Sequence, residues 1–141
     1  MINLDEYLHK DQRRYVEAIQ YDRLLLALKG LPGYIVEGVC LLAVLEKMQI
    51  ELDAHVYVKM IRHDQWTDEA DLVSESSLEL HLESQIDQMR RGMRMLAIWE
   101  NRDEPDLSKI ALPPLTEEII RYHNEWHPHD RALYEFHRID S

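Results

Sequence analysis

Residues 34–58 place the strongest constraint on the fold of this chain. The run at residues 34–36 is short and apolar, which is typical of a strand covered on both faces. A helical apolar face follows at residues 41–48, and a second β-type run follows at residues 55–58. A crossover of this length joins two parallel strands with a right-handed connection. The sequence therefore predicts an α/β fold in which both strands lie in one sheet.

Apolar spacing predicts further elements on either side of this unit. Polar residues at 62–69 indicate a loop, and Pro128 separates the last two predicted helices. The predicted elements are a strand at residues 2–4, helical pieces at residues 11–19 and 23–29, a long helix from Ser76 or Ser77 to about Glu100, and final helices at residues 115–125 and 130–138. The expected result is a single domain over residues 1–141, with a partial parallel sheet, flanking helices and a helical C-terminal part.

The long helix is predicted from one apolar face. Its members recur at helical spacing and are Leu82, Ile86, Met89, Met93 and Leu96. This spacing is typical of an amphipathic helix.

Charge and composition narrow the classes of function. The chain has 141 residues and a formal net charge of −11, so it lacks the surplus of Lys and Arg that a nucleic-acid surface needs. Its longest apolar stretches, near residues 39–45, are far shorter than a membrane span, and no signal-peptide pattern opens the sequence. Cys40 is the single cysteine and is expected to be buried. These features predict a cytoplasmic protein that binds neither nucleic acid nor membrane.

Two segments resemble P-loop kinases of the uridine-kinase type. The first is INLDEYL at residues 2–8, and the second is YIVEGVCLLAVLEKMQIELDAHVYVK at residues 34–59. The resemblance covers residues 2–62 and implies a partial P-loop-type parallel sheet, with residues 63–141 forming a lid-like loop and helices. It also implies ATP-dependent phosphorylation of a small hydroxyl-bearing substrate, with ATP and Mg²⁺ as cofactors.

The resemblance implies roles for three residues. Glu37 matches the acidic residue at the end of the Walker B strand and would help to hold Mg²⁺. Asp5 matches the carboxylate that contacts or deprotonates the acceptor hydroxyl, and Arg62 lies where a lid begins and would neutralise the transferring phosphoryl group. Each residue also has a structural interpretation: Asp5 as a helix cap, Glu37 as a strand-end carboxylate bound to a backbone N–H, and Arg62 as a solvated charge.

The chain lacks the phosphate-binding loop that such a kinase needs. None of its four glycines begins the G-x-x-x-x-G-K-[ST] pattern, whose backbone N–H groups and Lys hold the phosphates. In the family this loop and its strand precede the segment that matches residues 2–8, whereas this sequence begins at Met1. We therefore predict a truncated or degenerate kinase-like protein. The alternative is an acidic binding protein, such as an inhibitor, an immunity-type protein or an assembly subunit.

The missing strand has a structural consequence. In the family it separates the strands that match residues 34–36 and 55–58, and buried backbone groups do not stay unpaired. Either these two strands pair directly, or another chain, including a second copy, donates a strand to the open edge.

Three histidines near the C-terminus form a second candidate site. His123, His127 and His129 have the spacing H-x₃-H-x-H. Two histidines four residues apart on a helix face the same way and can share a metal ion, although Pro128 ends the helix before His129. The other interpretation is that they are ordinary surface histidines.

Overall fold

The computed structural model describes residues 1–10, 14–103 and 105–139. The strands are β1 (Ile2–Asn3), β2 (Val36–Glu37), β3 (Val56–Arg62), β4 (Gln65–Trp66) and β5 (Tyr134–Ile139). The helices are α1 (Tyr15–Ala18), α2 (Tyr21–Leu28), α3 (Leu41–Lys47), α4 (Leu78–Trp99) and α5 (Pro114–Trp126). Short 3-10 turns lie at Leu4–Tyr7, Glu69–Asp71, Glu75–Ser77 and Leu107–Lys109. The chain is therefore a mixed α/β protein with two small sheets, as the predicted fold class requires at its coarsest level.

The predicted strand–helix–strand unit is wrong in its pairing. β2 pairs in parallel with β1, whereas β3 lies in a second sheet of order β4-β3-β5. The strands predicted at residues 34–36 and 55–58 therefore neither share a sheet nor pair directly, although α3 between them is confirmed. β3 obtains a parallel partner along one edge from β5 of the same chain.

The C-terminal segment forms β5, so the predicted helix at residues 130–138 is also wrong. β5 runs in register with β3 from Val56 opposite Tyr134 to Ile61 opposite Ile139. Apolar and polar side chains alternate from Tyr134 to His137, which is the period of a strand, and Lys59 of β3 pairs with Glu135 at 2.8 Å. The six-residue ladder gives this segment long-range backbone partners in β3.

The segment predicted as a loop at residues 62–69 begins with a tight hairpin. His63 and Asp64 have φ values of 48° and 61°, which is the left-handed geometry that two-residue hairpin turns use. β4 therefore folds back antiparallel to the end of β3, with Trp66 opposite Ile61.

Periodicity located the long helices well. α4 and α5 begin and end within two residues of the predicted bounds. α2 begins at Tyr21, ahead of the predicted start at Arg23. Part of the first predicted helix, residues 11–13, lies outside the described residues, and α1 covers Tyr15–Ala18.

The core lies where β1, α2 and α3 meet, and α5 holds these elements together. Leu4, Leu24 and Val44 are fully buried there. Cys40 is buried among them, as predicted, and burial raises the pKa of its thiol to about 12. Among the described residues, none of the helices combines the length and the apolar character that a membrane-spanning segment requires.

Two side chains of α5 accept hydrogen bonds from backbone N–H groups of other helices. The carboxylate of Glu118 accepts the N–H groups of Tyr15 and Val16 at the start of α1, the second at 3.0 Å. The hydroxyl of Tyr122 accepts the N–H of Leu42 in the first turn of α3 at 3.3 Å. These three bonds satisfy N–H groups that a helix start leaves unpaired, so α5 fixes the positions of α1 and α3.

Candidate functional sites

The residues implied by the kinase resemblance lie in two different sheets. Glu37 is the last residue of β2 and lies opposite Asn3, and Asp5 lies two residues after the end of β1, so both residues are at the carboxyl edge of the first sheet. Arg62 ends β3 in the second sheet, opposite Gln65. The structure therefore brings Asp5 and Glu37 to one edge and places Arg62 in a separate sheet.

Local contacts explain the position of Asp5. Its carboxylate accepts a hydrogen bond of 2.6 Å from the hydroxyl of Tyr15, and burial together with this bond raises the pKa of Tyr15 well above its usual value. The side chain of Asn3, rather than that of Asp5, caps the 3-10 turn, since Asn3 Oδ1 accepts the N–H of Asp5 at 3.0 Å. The helix-cap interpretation of Asp5 is therefore wrong.

A buried polar cluster joins β3 to α5. The hydroxyl of Tyr57 donates to Asp68 at 3.3 Å and lies 3.0 Å from Nε2 of His123. Burial lowers the pKa of His123, and the neighbouring His129 lowers it further, whereas Asp68 and Asp71 oppose the shift. His123 is therefore a structural partner of Tyr57 and is kept neutral by its surroundings.

The lowered pKa of His123 predicts a loss of stability in mild acid. The unfolded chain takes up a proton near the ordinary value of 6.5, before the folded chain does. The stabilisation is therefore complete above that pH and is lost as the pH falls toward the folded pKa. We expect the melting temperature to drop between about pH 7.5 and 5.5, and to drop less in His123→Gln, which keeps an N–H donor.

The matched control for this prediction is His137→Gln, which removes an exposed histidine of β5. It should melt with the pH dependence of the native chain. Burial also lowers the pKa of His55, so some pH dependence will remain in His123→Gln. Equal slopes for the native chain and His123→Gln would contradict the assignment.

The three C-terminal histidines do not act as one set. His123 lies within α5 against Tyr57, whereas His127 ends the helix in the left-handed conformation with φ of 45°. After this turn, His127, His129 and Asp130 each place one donor atom within 4.8 Å of the other two. The predicted partnership of His123 with His127 is wrong because His127 has left the helix. Asp130 is the residue that the sequence interpretation missed.

α4 leaves most of its apolar face uncovered. Leu82 near its start is buried, but Met89, Met93 and Leu96 are exposed, and so is Trp99 at its end. The 22 residues of α4 make it about 33 Å long, roughly the diameter of a small domain. The apolar spacing that predicts the helix is therefore correct, and among Leu82, Met89, Met93 and Leu96 of this face only Leu82, near the start of the helix, is buried.

The second sheet also has an exposed apolar face. Val56 and Val58 of β3 lie opposite Tyr134 and Phe136 of β5, and all four side chains are exposed. Tyr57 between them points to the other face and is buried.

Comparisons with protein-family models, with curated proteins and with solved structures found no significant match to this chain. What the chain does is therefore inferred from its own residues and their geometry.

Proposed function

We propose that this chain is a binding protein, of the assembly-subunit kind, that associates through α4 with a second copy of itself. The observation that carries the proposal is the uncovered apolar face of α4. Met89, Met93 and Leu96 form a continuous row on this face, and each exposes more than a third of its surface. A contiguous apolar row of this kind marks an interaction site more often than does a single exposed side chain.

The spacing of this row fits a coiled-coil partner. From Leu82 onward, the apolar residues follow at intervals of four, three, four and three, which is the seam of a two-helix coiled coil. Leu82 already packs on the domain, so the free part of the seam runs from Ile86 to Leu96. A second helix laid along it would bury these side chains as knobs in holes.

The distribution of charge along α4 favours an antiparallel second copy as the partner. The acidic residues of α4 lie in its first half and the basic ones in its second half: Glu79, Glu83 and Asp87, then Arg90, Arg91 and Arg94. Antiparallel helices would place each acidic half beside a basic half, whereas parallel ones would face like charges. α4 carries no net charge although the chain carries −11, so a contact made through α4 adds little charge repulsion between two copies.

One register brings opposite charges together across part of the apolar row. If Ile86 packs against Met89 of the second copy, two-fold symmetry repeats that contact. Glu83 then flanks the seam beside Arg90 of the second copy, and this pair also occurs twice. Arg90 donates a hydrogen bond of 2.9 Å to Asp87. A guanidinium has several N–H groups, so Arg90 can also donate to a second carboxylate.

The kinase-like alternative, with ATP and Mg²⁺ as cofactors and Asp5, Glu37 and Arg62 as site residues, stays a prediction. The placement of β2 and β3 in different sheets departs from the single parallel sheet that the resemblance implies. The proximity of Asp5 and Glu37 to one sheet edge agrees with it. The uncovered helix therefore supports the binding protein more directly.

The test is a charge-exchange series followed by sedimentation equilibrium. We expect the native chain to be a dimer, and Glu83→Arg and Arg90→Glu each to weaken it about tenfold or more, since each creates two like-charge contacts. The double variant should recover most of the lost affinity because it restores opposite charges in exchanged positions.

Arg91→Glu is the matched control for Arg90→Glu. Arg91→Glu reverses the same charge one residue further along the helix, on the side of α4 away from the seam. The affinity of the dimer should therefore hardly change. A native chain that stays monomeric at high concentration would overturn the proposal. So would a double variant that associates no better than the two single variants.

A further inference from the structure

We propose that His127, His129 and Asp130 form a binding site for a divalent transition-metal ion such as Zn²⁺. Each residue contributes one donor atom, and the three atoms lie within 4.8 Å of one another. Two imidazole nitrogens and one carboxylate oxygen are a donor set that zinc accepts, whereas Mg²⁺ and Ca²⁺ prefer oxygen alone. The inference is independent of the proposed association through α4.

The distance between His129 and Asp130 fits a shared cation better than it fits a direct hydrogen bond. Nε2 of His129 lies 3.4 Å from Oδ1 of Asp130, beyond the usual range of an N–H···O bond. Two donors at about 2.0–2.1 Å from a tetrahedral zinc ion are separated by roughly 3.3–3.4 Å. These two atoms are therefore spaced as zinc ligands, and the exposed His127 can complete the site by rotating its side chain.

The backbone that carries the three residues is held in place. The carbonyl of His127 accepts the N–H groups of Asp130 at 3.0 Å and Arg131 at 3.2 Å, and Pro128 between the two histidines is fully buried. A site built on such a turn loses little conformational freedom when it binds an ion. The guanidinium of Arg131, the nearest cation along the chain, lies over the ring of Trp126 at 5.5 Å.

The surroundings favour a cation and fix the ring of His129. The turn follows the C-terminus of the 13-residue α5, where the last carbonyl groups carry partial negative charge. The His129 ring meets Trp66 at 5.1 Å and Tyr57 at 6.1 Å between ring centres, which restricts its rotation. Its Nδ1 is buried and has no hydrogen-bond partner within the described part of the chain. Nε2 is therefore the nitrogen with a coordination role.

Three protein donors leave one position of a tetrahedral ion open. In zinc sites of this kind, that position holds water or a small ligand, and the bound water loses a proton more easily than free water does. The predicted chemistry is thus an open-coordination site, in contrast to a closed four-ligand structural site.

The test is a calorimetric titration of the full chain with Zn²⁺, repeated with Co²⁺ to read its visible ligand-field absorption. We expect one Zn²⁺ per chain and a tetrahedral Co²⁺ spectrum. His127→Asn and Asp130→Asn should each weaken Zn²⁺ binding about 100-fold, since even loss of an outer-shell partner costs 10–100-fold. Asn suits position 127 because it tolerates the left-handed conformation, so the variant keeps its fold.

His137→Asn is the matched control. His137 is an exposed histidine of β5 that lies 3.6 Å from Glu135, so it offers a histidine–carboxylate pair of the ordinary surface kind. This variant should bind Zn²⁺ as the native chain does. Binding that is lost in His137→Asn, or that survives in both His127→Asn and Asp130→Asn, would overturn the site, as would a native chain that binds no Zn²⁺.

Discussion

Replacing Gly38 with alanine is expected to lower the free energy of unfolding by about 2–4 kcal/mol. Gly38 follows β2 at the point where the chain passes the fully buried Leu4. A Cβ atom at position 38 would lie 2.7 Å from Cβ of Leu4, 2.8 Å from its Cδ1 and 2.9 Å from its Cγ. Leu4 cannot retreat, because it lies in the close-packed core. The backbone adds to the cost, since Gly38 has φ of +158°, where side chains are rarely found.

Gly33→Ala is the control, because a Cβ at position 33 meets no atom within 4 Å. It should leave stability unchanged or raise it slightly by restricting the unfolded chain. Urea unfolding of both variants with equal slopes would give the two differences directly. Equal stabilities for the two variants would show that the contact between residue 38 and Leu4 is not as tight as the structure has it.

Local periodicity was sufficient to predict α3, α4 and α5 because a helix forms its hydrogen bonds within one segment. Strand pairing depends on partners far apart in sequence, and in this chain its prediction failed. β3 pairs with β5, so Val56 lies opposite Tyr134. Buried strand edges need partners, but local spacing predicts a helix at residues 130–138, the segment that supplies the partner strand β5. The alternation of apolar and polar residues from Tyr134 to His137 is the signal for a strand.

The candidate sites show the same division between local and long-range information. Pro128 predicts the end of α5. Because the residue before a proline avoids the helical conformation, the sequence already indicates that His127 leaves the helical face of His123. What no local pattern contains is the buried position of His123, which depends on Tyr57 of β3. Nor can apolar spacing tell a face that packs on its own domain from one that is left open, as Leu82 and Met93 of one helix show.

The three consecutive leucines of α2 give the other large expected effect. Leu24 is fully buried and Leu26 is 71% exposed, although the two residues lie in the same helix, two positions apart. Leu24 and Leu28 are four residues apart and therefore share the face that meets the core, whereas Leu26 lies on the opposite side. Leu24→Ala should lower the free energy of unfolding by about 2–5 kcal/mol, since it removes buried methyl groups and leaves a cavity.

Leu26→Ala is the matched control, because it makes the same chemical change in the same helix at an exposed position. Its effect should stay within about 0.5 kcal/mol, and alanine's higher helix propensity offsets part of any loss. Urea unfolding of the two variants side by side at one protein concentration measures the difference. If Leu26→Ala proved as destabilising as Leu24→Ala, α2 would have to present a different face to the core. The core built from Leu4, Leu24 and Val44 would then have to be reassigned.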